Sequence, residues 1–230
     1  MDPIPLEENL NWWWYKAKSY LLKHILGSIK NTPKILEIGP GLGNNIEYLS
    51  GIGSLDVLET EKVFIEHLNS TFKNSIDKIY TNLNEISVKY DLIIMLDVLE
   101  HVEESQKFMD QISIFLEENG SIVIGVPAYQ SLWSNHDIVL KHFRRYNWKT
   151  LYADCQSYEI TKRYGLNYLL LPIRYIQVKT NKVTTTNESG KIVSSVLFLF
   201  IFIEAFLRKI GLNPKFGISL YGILQKKEIK

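Results

Sequence analysis

Only one of the 230 residues is a cysteine, Cys155, so no internal disulfide can form. That fits a reducing compartment, leaves no cysteine pair for a zinc or redox motif, and sets the expectation of no metal. A lone cysteine reads as a small apolar core residue. An excess of charge is lacking too: 26 Lys and Arg against 25 Asp and Glu leave +1, which excludes a general nucleic-acid binder. The apolar run over 196–203 has eight residues, far short of the roughly 20 needed to span a bilayer. The N-terminus carries Asp2, Glu7 and Glu8, which is not the basic opening of a secretory signal. These shortages point to a cytoplasmic protein with a small-molecule partner. The length suffices for one domain with a full core, 1–230.

What the sequence does hold is a glycine turn, around which the rest is organised. The apolar, β-prone run over 34–38 ends with Glu37 and Ile38. Gly39, Gly41 and Gly43 follow at alternate positions, and a helical pattern begins at Asn45. Strand, glycine turn and helix form the front half of a βαβ nucleotide site, whose loop N–H groups and helix start face a ligand. A dinucleotide fingerprint would need its third glycine at position 44, which is Asn44. Pro40 removes one N–H from the turn. A carboxylate at Glu37 would repel a pyrophosphate and suits an ammonium group.

A second βα unit follows. The strand over 55–59 ends in Glu59, 20 residues beyond Gly39, where an acid accepts hydrogen bonds from ribose hydroxyls. Residues 61–68 read as a helix and 76–80 as a third strand, followed by Asn82. Residues 90–96 form a continuous apolar run of the central parallel type, leading into Asp97-Val98-Leu99-Glu100-His101-Val102. Asp97 falls at the strand's carboxyl end, beside the ligand crevice. Glu100 and His101 read as capping and packing. A helix over 104–117 is expected to close on Asn119-Gly120, before a fifth strand over 121–126.

The order Glu37-x-Gly39-x-Gly41-x-Gly43 resembles the first motif of the class I S-adenosylmethionine-dependent methyltransferases. The string from Asp91-Leu92-Ile93 to Asp97-Val98-Leu99-Glu100-His101-Val102 is similar to their fourth-strand signature. The resemblance implies S-adenosylmethionine as cofactor, held by Glu37, Gly39, Gly41, Gly43, Glu59, Asn82 and Asp97. It places Asn82 at the adenine amino group, although a plain turn asparagine explains that residue as well. It implies an α/β, Rossmann-like, doubly wound seven-stranded sheet with an antiparallel last strand. Many such enzymes open with a Trp-Trp helix. The Trp12-Trp13-Trp14 cluster of the helix read over 9–30 then becomes a lid, with Lys16 or Lys18 near the ligand carboxylate, or else a packing helix.

The loop after strand five is long, aromatic and rich in titratable groups, as expected where α/β enzymes keep substrate chemistry. It resembles a bacterial subset acting on small molecules or surface glycans, through Val126-Pro127-Ala128, Leu132-Trp133, His136-Asp137 and His142-x-Arg144-Arg145-Tyr146. His136, His142 and Asp137 are the candidate catalytic groups, since a histidine titrates near neutrality. Trp133, Arg144, Arg145 and Tyr146 are the candidate acceptor-binding residues. The basic cluster suggests an anionic acceptor, unless it is only a solvated approach to the next helix. O-methylation of a sugar, lipid-linked or quinone-like molecule is expected. The alternative is an inactive scaffold that keeps the fold.

Asn147 can cap a helix to about 156, and 159–164 gives a sixth strand. Residues 166–212 form an insertion, with a polar linker over 180–190, before a last strand over 216–224. The segment 192–210 reads either as a buried or homodimer-forming helix or as a helix lying at a membrane interface.

Overall fold

The computed structural model describes residues 13–27, 33–180 and 191–227. Seven strands form one sheet: β1 (Lys34–Ile38), β2 (Ser54–Leu58), β3 (Lys78–Tyr80), β4 (Tyr90–Leu96), β5 (Leu116–Pro127), β6 (Tyr158–Leu166) and β7 (Ser219–Lys226). Their spatial order is β3-β2-β1-β4-β5-β7-β6. β1 to β5 run parallel, whereas β7 is antiparallel to both β5 and β6. The order reverses beside β1, so the carboxyl ends of β1 and β4 open on the crevice where such sheets bind ligands.

Among the described residues eight α-helices accompany the sheet: α1 (Trp13–Leu26), α2 (Ile46–Ser50), α3 (Lys62–Thr71), α4 (Ser105–Ile112), α5 (Asn135–Val139), α6 (Trp148–Asp154), α7 (Leu171–Lys179) and α8 (Lys191–Lys209). The apolar run of β4 is buried on both faces, as a central parallel strand must be. One face, through Ile93 and Met95, packs with Met109, Ile112 and Leu151. The other, through Leu92 and Ile94, packs with Leu21, Leu22 and Ile25 of α1. Cys155 is buried, and burial pushes its thiol up to about 12. It is the apolar core residue its isolation suggested.

The described part of the first helix is α1. Asn9, Trp12 and residues 28–30 of the expected span lie outside the described residues, as do the side chains of Trp13 and Trp14 and the linker over 181–190. The helix expected to reach Glu117 instead stops at Ile112, followed by a 3-10 turn over Ser113–Phe115. Leu116 is already paired with Tyr90, so sheet pairing overrides helical propensity there. Asn119 and Gly120 consequently lie within β5 and do not cap the helix. Asn147 caps α6 as expected, its side chain accepting the Thr150 N–H.

The insertion is tied into the fold by a buried acid. Glu204 accepts the N–H groups of Asn167 and Leu169, each at 2.9 Å. Arg208, one turn later, donates to the Gly165 carbonyl. Gly165 leaves no room for a side chain: a Cβ there would stand 1.8 Å from the Phe216 carbonyl. The chain entering β7 therefore lies directly against the end of β6.

Candidate functional site

The glycine turn carries the backbone through three left-handed positions: Gly39 at φ 67°, Gly41 at 54° and Gly43 at 75°. Gly39 is also a close approach, since a Cβ would meet Val98 at 2.8 Å. A Cβ on Gly41 would meet nothing within 4 Å, so this stretch of backbone faces open space. Glycine holds such angles at the lowest cost, having no Cβ.

Glu59, at the end of β2, fastens this turn. Its Oε2 accepts the Gly41 N–H at 3.1 Å, while Oε1 accepts the N–H groups of Thr60 and Glu61 at 2.7 and 3.0 Å. A carboxylate has about four lone-pair sites. Three backbone donors therefore orient Glu59 and leave capacity for a ligand hydroxyl.

Glu37 sits beneath the same turn, 3% exposed. Its Oε1 accepts from Asn45 at 2.9 Å, and its Oε2 has no hydrogen-bond partner among the described residues. Burial pushes its carboxyl up to about 7, against the opposing pull of Asn45. A buried, half-satisfied carboxylate is costly. A ligand ammonium would supply what it lacks. Asn82 is exposed and organises its own turn, its Oδ1 accepting the Asn84 N–H at 3.1 Å and its amide donating to Glu85.

Asp97 leaves β4 at φ 56° and pairs with Lys18 of α1. Glu100 and His101 follow in a 3-10 turn, and Glu100 is fully buried. Burial, then the nearby Asp97 charge, raises its carboxyl well above the ordinary range.

The loop after β5 folds back on this point through Asp137. Ser134 and Asp137 form a capping box at the start of α5. Arg145 clasps Asp137 with Nε at 2.7 Å and Nη2 at 3.0 Å, and His142 Nδ1 stands 2.9 Å from its Oδ1. These partners hold the Asp137 carboxyl far below the usual range despite its burial. The His136 pKa is lowered by desolvation and by the nearby His142, Arg174 and Arg145 charges, although Asp137 pulls the other way.

The structure thus brings His136, Asp137 and His142 together. It places three expected acceptor-binding residues elsewhere. Arg145 is buried and spent on Asp137. Tyr146 is fully buried in the core, its hydroxyl donating to Asp154 at 3.0 Å. Arg144 is half-buried and bound to Ser105 Oγ and the Glu103 carbonyl at 2.9 and 2.6 Å. Trp133 remains partly exposed beside α5. Arg174, on α7, was not legible as a site residue. It reaches Ser134 Oγ at 3.0 Å across 40 residues of sequence, and only the packing of α7 against the loop reveals it. Glu100 and His101 stood inside a recognised string, but nothing local announced that Glu100 would be buried with neither carboxylate oxygen hydrogen-bonded to another of the described residues.

Residues 10–170 match the model of a family described as a methyltransferase domain. No curated protein matches the chain. Several solved structures share the fold. The N-methyltransferase NodS from Bradyrhizobium japonicum WM9, in complex with S-adenosyl-L-homocysteine, is 15% identical. The match covers 99% of this chain and 90% of that one, at a TM-score of 0.58. Coclaurine N-methyltransferase, bound to N-methylheliamine and S-adenosylhomocysteine, is 11% identical over 92% of this chain and 70% of that one, at 0.57. The mycolic acid cyclopropane synthase CmaA1, complexed with S-adenosylhomocysteine, is 14% identical over 92% and 85%, also at 0.57.

Proposed function

The chain belongs to the methyltransferase-domain family that its residues 10–170 match, and on that premise we propose that it transfers a methyl group from S-adenosylmethionine to a hydroxyl of a small anionic acceptor. The observation that carries the cofactor assignment is Glu37, whose buried Oε2 under the glycine turn has no hydrogen-bond partner among the described residues and suits the methionine ammonium. Gly39, Gly41 and Gly43 would let the nucleoside lie on bare backbone. Glu59 would accept from the ribose hydroxyls. Asp97 and Asn82 would flank the methionine and adenine ends.

The bound cofactor supplies a methyl carbon already activated by a sulfonium. What the protein must add is alignment, which is worth several kcal/mol of barrier. The loop 129–146 and Lys18 close over the crevice and hold the acceptor in line. His136, kept neutral near pH 7 by its lowered pKa, is the group to take the acceptor's proton. His142, oriented by Asp137, bounds the acceptor side. Arg174, which donates to the neutral Ser134 hydroxyl and has no carboxylate at ion-pair distance among the described residues, replaces Arg144 and Arg145 as the cation that meets the acceptor's negative charge, because Arg145 is paired with Asp137 and Arg144 lies 3.9 Å from Asp154.

Thermal melting tests the cofactor. S-adenosylhomocysteine at 100 times its Kd should stabilise the protein by about 2.7 kcal/mol, as any ligand of the native state does. NAD should leave the melting temperature unchanged. A rise with NAD and none with the sulfur nucleoside would overturn the assignment.

We further propose that α8 beds into an anionic membrane surface. No helix among the described residues is long and apolar enough to cross a membrane. However, Leu199, Phe202 and Phe206 project outward from α8 at helical spacing, with Phe202 74% exposed. Lys209 and Lys215 are exposed nearby in sequence. An apolar face with basic flanks is the pattern of an interfacial helix. Vesicles containing anionic lipid should carry the protein upward in a density gradient, less so at high salt. If the protein stays at the bottom and sediments as a concentration-dependent dimer, the face belongs to a second copy.

A further inference from the structure

The polar cluster at the carboxyl end of β4 is built for a cation. Glu100 is fully buried, and neither of its carboxylate oxygens has a hydrogen-bond partner among the described residues. Such a group is costly unless something positive meets it. His101 follows Glu100 in the chain, and His142 arrives from beyond α5. Ligand atoms of the three lie within 4.8 Å of one another. The two imidazoles meet edge to face, 4.6 Å between centroids.

Both rings are already steered by protein partners. His142 Nδ1 faces Asp137 Oδ1 at 2.9 Å, and Asp137 is an ionised carboxylate clasped by Arg145. Nδ1 is therefore the protonated nitrogen, and Nε2 is left as a donor. The His101 ring interacts with the Leu140 carbonyl, which leaves its other nitrogen in the same position. An imidazole fixed through one nitrogen by a carboxylate or carbonyl, with the other offered, is the usual arrangement of a metal ligand. Asp97 acts as a negative charge on both Glu100 and His101, while Lys18, which pairs with Asp97, and Arg145 act on Glu100 as opposing positive charges.

We propose that Glu100, His101 and His142 form a site for a divalent first-row cation such as Zn2+, and that the ion receives the acceptor hydroxyl. The second clause rests on the methyl-transfer reading. Two imidazoles and one carboxylate are the ligand set of an open zinc site, which keeps a position for substrate. Mg2+, which prefers oxygen donors, fits less well. Zinc ligands at about 2.0–2.2 Å in tetrahedral array stand about 3.4 Å apart, so from 4.8 Å the cluster must close by up to about 1.4 Å. The exposed His101 ring would have to give up its contact with Leu140 to make that swing. On the ion, the hydroxyl gives up its proton more readily, and His136 takes it. The oxygen then forms its bond to the methyl carbon as the carbon–sulfur bond breaks, and that electron pair stays on sulfur.

The test is calorimetric titration of metal-free, full-length protein with Zn2+, repeated by following Co2+ absorption in the visible. One ion should bind per chain. His101→Ala and His142→Ala should each weaken binding by about tenfold or more, while His67→Ala, on α3, should leave it unchanged. Melting curves establish that each variant is folded. Absence of saturable binding at one ion per chain would overturn the site, as would full affinity in both His101→Ala and His142→Ala. S-adenosylhomocysteine is titrated into the same preparations. Its binding, with or without the ion, decides the methyl-transfer reading separately.

Discussion

Replacing His136 by alanine should slow single-turnover methyl transfer by about 10²–10⁴-fold at saturating acceptor, the usual contribution of a general base. His136 lies on α5, next to the Asp137 that anchors the loop, and its depressed pKa keeps the imidazole unprotonated near neutrality. The wild-type rate should therefore fall only below its ordinary value of about 6.5, and the acid limb should vanish in the variant. His142→Ala should behave differently. His142 is held by Asp137 and faces the acceptor side, so in metal-free protein its loss should act mainly through a raised KM. The split between the two variants is the informative readout. If His136→Ala keeps its full rate at saturating acceptor, proton removal does not pass through this residue, and α5 serves only as part of the lid.

Glu37→Gln should make the ligand-free protein more stable above neutral pH, and less responsive to the cofactor. The Glu37 carboxyl stands at about 7 in the fold, against 4.5 in the unfolded chain. As pH rises from 4.5, the unfolded chain releases this proton first. Stability contributed by the protonated group is thus complete below 4.5 and is lost progressively up to about 7. The gap corresponds to about 3 kcal/mol, or roughly 6–12 °C in melting temperature for a chain of this size. Glutamine has no proton to lose. The melting temperature of wild type minus that of Glu37→Gln should therefore fall between pH 5 and 8. S-adenosylhomocysteine should restore more stability to wild type than to the variant, because only the carboxylate attracts its ammonium. A pH-independent difference would show that Glu37 titrates as an exposed acid, and would remove the argument that it awaits a cation.

Much of the nucleotide half is legible in the chain's local pattern. The apolar run over 34–38 coincides with β1, Lys34–Ile38. A short apolar run stopped by glycine leaves few alternatives. Gly39, Gly41 and Gly43 all adopt the left-handed angles that their spacing suggests. Glu59 stands just past the end of β2, fastening the turn. These features are encoded within a few residues, where backbone sterics and alternation of polarity act directly.

Contacts between distant segments were decided only by the tertiary structure. Local propensity carries the helix before β5 five residues too far, because the pairing of Leu116 with Tyr90 is invisible along the chain. The run His142-x-Arg144-Arg145-Tyr146 reads as an acceptor-binding cluster. Burial gave Arg145 to Asp137 and Tyr146 to the core, a choice that composition does not record. Glu204 and Arg208 follow an apolar run that suggests only a helix, yet they pin the insertion to the end of β6. Glu100, His101 and His142 span 42 positions and meet within 4.8 Å. What the sequence by itself determined was the turn, its acids and the order of elements, since these follow from short-range backbone and polarity rules. Which charges remain unpaired, and therefore available for chemistry, was decided by long-range packing, because desolvation depends on every segment that closes over a side chain.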